Sequence, residues 1–379
     1  MTPLRIGYVP LTDAAVLIAA AQRGFAQAEG LDLELSKEVS WANIRDKLIL
    51  GLLDAAHMLA PFAISTSLGL GHSRVKLAAP FALNLNGNAI TLARDLFEEM
   101  EARTGRTPEG AAGTAKALAQ VIGERRAKGR DPLTLGMVFA FSSHTYLLRH
   151  WLRLGGIDPE HDVRLVVIPP SYMVDSLRKG LVHGFCVGSP WNGIAVESQV
   201  GRIAVLGVEI AARSPEKVLA LPADYAERNP ELLDRLVRAL RMAACWCEHP
   251  SNRAELARLL SAPEHIDLPE HIIRDTLEGD LRVSCEKLRR ADKNFLPLGR
   301  EDTNYPDPRQ AQWLYAEMVH AGQTQFSEEA YRLAAEVYRP DLYLRATGER
   351  NPPFTDDPVG LTAGPVFSEL NPRAYLASR

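Results

Sequence analysis

The chain has 379 residues, roughly two to three times the length of a typical domain, so at least two lobes are expected. Apolar residues make up 46% and charged residues 24% of the chain, which is typical of globular proteins and excludes a coiled coil, a collagen and a disordered chain. The net charge of −4 gives no overall field that would attract nucleic acid or an anionic membrane, so an anionic ligand would need a local site.

The first part of the chain alternates strand patterns with helix patterns. Strands are predicted at 4–9, 31–39, 54–59, 75–79 and 88–92, with helices at 14–23 and 41–50 and a helical, charged region at 94–131. Strands that alternate with helices of about 10–15 residues indicate βαβ units and a mainly parallel sheet.

A second α/β unit follows the helical region. Its predicted strands are 133–139, 163–168, 184–187 and 203–208, and its predicted helices are 143–154, 172–179 and 190–199. A strand at 217–221 then leads back to the first unit, and the rest of the chain is mostly helical. The sequence therefore predicts an α/β fold with lobe I formed by residues 1–92 and 211–379, lobe II by residues 93–210, and a ligand cleft between them.

The cysteines and the N-terminus predict a cytoplasmic protein that does not contact a membrane. The sequence has four cysteines without metal-binding spacing, which are Cys186, Cys245, Cys247 and Cys285. Cys245 and Cys247 lie two residues apart in a helical pattern, where the geometry for a disulfide is poor. Reduced thiols are therefore expected. The first residues lack the basic and apolar regions of a secretory signal. No run approaches the ~20 apolar residues of a membrane span.

Polar residues between strands and helices are the candidates for ligand binding. Helix N-termini carry unpaired N–H groups and a partial positive charge, so they attract anions. Four junctions of this kind are Ser40-Trp41, Phe141-Ser-Ser-His144, Pro170-Ser171 and Gly188-Ser189-Pro190, and Lys217 begins the strand that leads back. Each candidate also has a purely structural interpretation. Trp41 could be a core tryptophan, His144 a surface or capping histidine, Gly188 a turn glycine and Lys217 a solvated lysine. Asn86 or Asn88 could contact a ligand, or Asn86-Gly87 could simply form a turn.

No motif in the sequence indicates an enzyme. The run Gly184-Phe-Cys-Val-Gly188 has the spacing of a nucleophile elbow, but Cys186 lies within the apolar strand, before the turn where the nucleophile is needed. The phosphate-binding motif G-x-x-x-x-G-K-[ST] and the zinc motif H-E-x-x-H are absent, and the histidines show no metal-ligand spacing. We expect a binding protein with no metal and no cofactor.

Several longer runs closely resemble a known family. They include Gly7-Tyr-Val-Pro-Leu-Thr-Asp13, Ser40-Trp-Ala-Asn-Ile-Arg-Asp46, Pro169-Pro-Ser-Tyr-Met-Val-Asp-Ser-Leu-Arg-Lys-Gly180 and Gly184-Phe-Cys-Val-Gly-Ser-Pro-Trp-Asn192. In order along much of the chain, these runs resemble the nitrate/bicarbonate-binding family of NrtA, CmpA and NasS proteins. The resemblance implies a type II periplasmic-binding-protein-like fold, with an oxyanion held between two α/β lobes.

The same resemblance implies a set of anion-contacting residues, which are Trp41, Asn88, His144, Gly188 and Lys217. Many transporter members have Gln where this chain has Asn88, so the shorter amide should reshape that contact with the anion. Many also have Glu where this chain has Ser189, so one carboxylate near the cleft is missing here. The family's bicarbonate binders resemble a metal-plus-carboxylate site at the position of Lys217. A fixed cation opposite a monoanion therefore predicts nitrate or nitrite as ligand, without Ca²⁺.

The resemblance leaves the biological role open between a sensor and a transporter component. Because no export signal or lipobox is recognised, the chain is most similar to the cytoplasmic NasS sensors of nitrate and nitrite. Sensors of this kind resemble a protein that holds a NasT-like antiterminator, an RNA-binding protein of the ANTAR type, and releases it when the anion closes the cleft. The chain itself is not expected to contact nucleic acid. The alternative is the substrate-binding component of a nitrate/nitrite (or bicarbonate) ABC transporter, and another small anion or sulfonate is also open.

Overall fold

The computed structural model describes residues 3–71, 73–349, 359–363 and 365–378, and most of its strands form two five-stranded sheets. The strands are β1 (Leu4–Tyr8), β2 (Leu33–Lys37), β3 (Ala55–Leu59), β4 (Leu77–Leu85), β5 (Asn88–Ala93), β6 (Leu133–Met137), β7 (Val163–Val167), β8 (Gly184–Gly188), β9 (Gly201–Leu206), β10 (Pro215–Pro222), β11 (Asp280–Arg282) and β12 (Arg289–Ala291).

Helices cover both sheets and make up most of the C-terminal part. They are α1 (Ala15–Gln22), α2 (Phe25–Ala28), α3 (Trp41–Ile49), α4 (Ala60–Leu68), α5 (Arg94–Thr104), α6 (Gly110–Ala127), α7 (Ser143–Leu154), α8 (Met173–Arg178), α9 (Trp191–Glu197), α10 (Ala223–Arg228), α11 (Pro230–Glu248), α12 (Arg253–Ser261), α13 (Glu270–Glu278), α14 (Pro308–His320), α15 (Glu328–Val337), α16 (Pro340–Thr347) and α17 (Pro372–Ala377). Within the described ranges, no helix is both long and apolar enough to span a bilayer.

The two sheets share one strand pattern. The first has the order β2-β1-β3-β10-β4, with β1, β2 and β3 parallel and β10 antiparallel to both of its neighbours. The second has the order β7-β6-β8-β5-β9, with β6, β7 and β8 parallel and β5 antiparallel to both neighbours. In each sheet the first three strands in spatial order are parallel and the fourth is antiparallel to both of its neighbours. The prediction of a mainly parallel sheet therefore holds for three of the five strands in each sheet.

The chain crosses between the sheets twice, at residues 86–87 and at residues 207–214, and these two crossings separate the first lobe from the second. Since β5 belongs to the second sheet, the lobe boundary predicted after residue 92 falls inside a strand of lobe II. The misplacement arose because β5 follows β4 after only two residues, so the sequence shows one nearly continuous apolar run across the boundary.

Asn86 ties the two crossings together. Its backbone φ of 57° and the φ of 92° at Gly87 form the turn predicted from this pair. The Asn86 amide donates to the carbonyl of Ala212 at 2.8 Å, and its Oδ1 accepts from the backbone N–H of Ser214 at 2.8 Å. The backbone N–H of Asn86 also donates to the carbonyl of Ser214 at 2.9 Å. One residue therefore joins the outgoing and the returning segment.

Burial of helix faces against the sheets explains why these segments fold as they do. Residues 15–21 of α1 are buried all round, because α1 lies between the first sheet and the C-terminal helices. The longer α11 has an apolar stripe at helical spacing, with Leu236, Leu240, Ala243 and Cys247 buried and charged residues outside. At its start Leu232 is only half-buried, and Leu233 takes the core position.

Candidate functional site

The five residues implied by the resemblance meet between the two lobes. The first lobe supplies Trp41, the first residue of α3, and Lys217 in β10. The second lobe supplies Asn88 at the start of β5, His144 in the first turn of α7 and Gly188 at the end of β8. Asn88 and Gly188 are register partners, so the antiparallel pairing of β5 and β8 places them side by side. We call this region, with the carboxylates described below, the interlobe site.

Short distances confirm that these residues share one space. The Nζ of Lys217 lies 5.3 Å from the centre of the Trp41 ring. A Cβ atom built on Gly188 would lie 3.5 Å from Oδ1 of Asn88 and 3.7 Å from Nε2 of His144. A small ligand over the α-carbon of Gly188 would therefore contact both polar side chains.

Burial rules out two of the structural alternatives. Lys217 and His144 are both 0% exposed, so the interpretations as a solvated lysine and a surface histidine are wrong. His144 is not a cap either, because Ser142 is the N-cap of α7 and accepts from the backbone N–H of Thr145 at 3.2 Å. Trp41 is buried at the start of α3, where Ser40 is the N-cap.

Two carboxylates that sequence reasoning missed hold the lysine. The Nζ of Lys217 donates to Oδ2 of Asp13 at 2.7 Å and to Oε1 of Glu216 at 2.5 Å, and all three side chains are buried. Burial favours the neutral amine, but the two negative charges outweigh it and raise the pKa of Lys217. A signal existed in the sequence, because Asp13 ends one of the runs that carry the family resemblance and Glu216 directly precedes Lys217.

Both carboxylates are ionised in this arrangement. Burial opposes ionisation of Glu216, yet the charge of Lys217, with hydrogen bonds from Lys217 and Ser143, lowers its pKa. The same balance, with Lys217 and His57 as partners, lowers the pKa of Asp13. The Nε2 of His57 lies 3.0 Å from Oδ1 of Asp13, and the centre of its ring lies 5.6 Å from that of Trp41, with the two rings tilted by 43°.

Glu216 also fixes the side chains from the second lobe. Its Oε2 accepts from the Asn88 amide at 2.6 Å and from the hydroxyl of Ser143. Because a carboxylate can only accept, the amide nitrogen of Asn88 must point at Glu216 and its Oδ1 must face Gly188. The hydrogen bond to Glu216 thus fixes the orientation of the Asn88 amide, and a ligand contact at Asn88 stays a prediction.

Several buried polar atoms of the site find no hydrogen-bond partner among the described residues. They are Nε1 of Trp41, both ring nitrogens of His144, Oδ1 of Asn88 and the hydroxyl of Ser189. Burial lowers the pKa of His144 to about 4, so its imidazole is neutral at pH 7 and one ring nitrogen carries a proton. Buried polar atoms are normally paired, so this group of donors and acceptors is suited to a small polar ligand.

The remaining candidates for chemistry are inert. Cys186 is buried in β8, and burial raises the pKa of its thiol well above the ordinary value, so the elbow-like spacing does not produce a nucleophile. In the part of the chain that the structure describes, no group of three His, Cys, Asp or Glu side chains is arranged to hold a metal ion.

Comparison with known proteins identifies the family. The model of the NMT1-like family matches residues 1–261. The chain belongs to the NMT1-like family. The nitrate/nitrite binding protein NrtA of Synechococcus elongatus is 30% identical over 98% of this chain and 84% of its own length. The bicarbonate-binding protein CmpA of the same organism is 29% identical over 99% of this chain and 86% of its length.

The structural comparison agrees with the sequence comparison. The crystal structure of the periplasmic nitrate-binding protein NrtA from Synechocystis has a TM-score of 0.91 and 28% identity, over 100% of this chain and 98% of that one. The predicted binding-protein fold and the nitrate/bicarbonate-binding family are thereby confirmed. By name these relatives bind ligands, in agreement with the expectation that the chain is not an enzyme. The chain spans about half, 54%, of another relative, the nitrate import ATP-binding protein NrtC of Synechocystis.

Proposed function

We propose that the chain is the substrate-binding component of an import system for a small oxyanion, nitrate or nitrite, held in the interlobe site. One observation carries the proposal: the buried ammonium of Lys217 lies beside Trp41 and His144, whose ring N–H groups have no acceptor in the described structure. Nitrate and nitrite are planar monoanions that only accept hydrogen bonds, and they match a cation flanked by such donors.

The relatives favour the transporter role over the sensor role. NrtA and CmpA are named as binding proteins for nitrate, nitrite and bicarbonate, and NrtC as part of nitrate import. The sensor hypothesis, its NasT-like antiterminator and its cytoplasmic location stay predictions. They are tested by asking whether a NasT-like protein co-elutes with this chain without nitrate and separates when nitrate is added, and by fractionating cells that express the complete gene.

Bicarbonate is the second candidate ligand, and one atom favours it. Oδ1 of Asn88 faces Gly188 and has no donor among the described residues. Bicarbonate has a hydroxyl group that could donate to this oxygen, whereas nitrate has none. Nitrate would have to rely on the donors around Lys217 alone.

Calorimetric titration distinguishes these possibilities. The purified protein is titrated with nitrate, nitrite and bicarbonate, each with and without Ca²⁺. We expect nitrate or nitrite to bind without Ca²⁺. Bicarbonate binding that needs Ca²⁺ would favour the second candidate, and binding of none of the three anions would refute the proposal.

A matched pair of glycine variants locates the binding site. In Gly188→Ala the new methyl group makes only ordinary contacts of 3.5–3.7 Å with protein atoms, so the fold should persist while ligand space is filled. We expect its affinity for nitrate to fall at least about tenfold. The control is Gly113→Ala on α6, where a Cβ meets nothing within 4 Å, and its affinity should be unchanged. Equal affinities in the two variants would place the anion elsewhere.

A further inference from the structure

The interlobe site carries more negative than positive charge before any ligand binds. Asp13 and Glu216 are both ionised, and they share the single ammonium of Lys217 at 2.7 and 2.5 Å. All three are buried, so solvent cannot screen the excess charge. The side-chain charges therefore sum to −1.

Neither histidine in contact with this group contributes charge near neutral pH. His144, on α7, is faced by Glu216 and Lys217 from β10 and by Asp13 from the turn before α1. His57, on β3, is faced by the same three groups. For both rings burial is the largest effect and lowers the pKa, Lys217 lowers it further, and the carboxylates only partly compensate.

Two helix N-termini offset the excess of negative charge. The helices α3 and α7 both begin at the site, and each N-terminus acts as a partial positive charge of about one half. These contributions bring the site close to neutrality. A bound nitrate would add one negative charge among buried side chains, and an unpaired buried charge is strongly unfavourable.

We infer that the site takes up one proton with each monovalent oxyanion, that His144 receives it, and that Asp13 and Glu216 impose the requirement. This inference rests on the proposed function. The proton comes from solvent and forms an N–H bond on the imidazole; no other bond changes. Nε2 of His144 lies 3.7 Å from the position over Gly188, and Nδ1 lies 3.6 Å from Oε1 of Glu216, so an imidazolium there lies between ligand and carboxylate.

His57 is the poorer proton acceptor for this purpose. Its Nε2 faces Oδ1 of Asp13 at 3.0 Å, whereas the position over Gly188 lies 3.6 Å from the other oxygen, Oδ2. A proton on His57 would therefore neutralise Asp13 without donating to the ligand. His144 does both, because its two nitrogens face the ligand position and Glu216.

The test counts protons directly. A weakly buffered solution of the protein at pH 6.5 receives saturating potassium nitrate, and a pH-stat measures the acid needed to hold the pH, with potassium chloride as the salt control. We expect about one proton taken up per nitrate bound. Since the complex then holds more protons than the free protein, affinity should fall by up to about tenfold for each unit of rising pH between 5.5 and 7.5.

Variants show which residues make proton uptake necessary for nitrate binding and which do not. In Asp13→Asn the side-chain charges already sum to zero, so nitrate should bind without proton uptake. His144→Gln keeps a neutral donor and should also lose the uptake. His161→Gln, an exposed histidine of the second lobe, should behave like the unchanged protein. Thermal unfolding checks that each variant is folded.

The outcomes distinguish this inference from the proposed function. Nitrate that binds without proton uptake and with pH-independent affinity overturns the inference and leaves the function intact. Uptake that persists in folded His144→Gln overturns the assignment to His144. Failure of any of the anions to bind refutes the proposed function itself.

Discussion

One helix, α7, contributes a histidine to each of two buried clusters, and each cluster also contains a tryptophan and a glutamate. His144 lies in the interlobe site with Trp41 and Glu216. His150, further along α7, lies in a second group that we call the C-terminal cluster, whose other members are Trp313, Glu317 and Tyr375. In that cluster Glu317 accepts from Nε2 of His150 at 2.5 Å and from the hydroxyl of Tyr375 at 2.6 Å.

The two clusters differ in how completely their polar atoms are paired. Nε1 of Trp313 donates to the hydroxyl of Tyr375 at 3.0 Å, so the tryptophan, the tyrosine, the glutamate and the histidine form a connected network. In the interlobe site, Nε1 of Trp41 and both nitrogens of His144 have no such partner among the described residues. Burial alone therefore does not distinguish the two clusters; what differs is whether the tryptophan nitrogen has a hydrogen-bond acceptor within the protein.

The largest expected effect comes from removing the cation of the interlobe site. Lys217→Met leaves Asp13 and Glu216 buried without their counter-charge, and such losses cost about 3–5 kcal/mol of unfolding free energy. Urea unfolding at pH 7 measures it. The control is Arg228→Met, whose partner Asp224 is 71% exposed, as in a surface pair that contributes less than about 1 kcal/mol. Equal losses in the two variants would show that the buried carboxylates are not dependent on Lys217.

The next effect is the pH dependence of stability. In the folded protein the pKa of His144 is about 4, below its unfolded value near 6.5, and that of His57 is also lowered. The unfolded chain therefore binds more protons below pH 7, and stability should fall as the pH falls from about 7 towards 4, by on the order of 3 kcal/mol for His144. The variant His144→Gln should flatten this part of the curve. An unchanged curve would mean that His144 is charged in the fold.

The smallest effects sharpen the comparison between the two tryptophans. Trp41→Phe and Trp313→Phe remove similar buried volumes, but only the second breaks a hydrogen bond within the protein. Trp313→Phe should therefore be less stable than Trp41→Phe by about 1 kcal/mol. Only Trp41→Phe should weaken nitrate binding, by about tenfold, in calorimetric titration. Weakened binding in Trp313→Phe would contradict the separation of the two clusters.

The sequence predicted the junctions that form the site better than the charges within it. His144 was a candidate because strands that end before helices are visible in local patterns. Lys217 was ambiguous, since its burial depends on Asp13, which lies 204 residues earlier in the chain. No local pattern reports such a contact. Its place at the start of the returning strand leaves Lys217 open between a ligand contact and a solvated lysine, and the family resemblance favours the contact without identifying the two carboxylates.

In the fold as well, local sequence patterns do not reveal contacts between segments that are distant in the chain. The order of strands and helices follows from local periodicity, but the antiparallel direction of β5 and β10 depends on which strands lie beside them. Both strands enter their sheets directly after a crossing between lobes, so their neighbours are distant in sequence. The lobe boundary predicted after residue 92 is misplaced for a related reason, since β5 follows β4 after only two residues and no local break in the apolar pattern marks the crossing.

The hydrogen bonds of Asn86 to both crossings have a mechanical consequence. Two independent connections would let the lobes slide, twist or separate along several directions. Because a single amide and its own backbone hold both connections at one point, the two segments cannot slide past each other there. Asn88, Glu216 and Lys217 all lie within three residues of Asn86 or Ser214, so the interlobe site is built beside the point where the two crossings are fastened together.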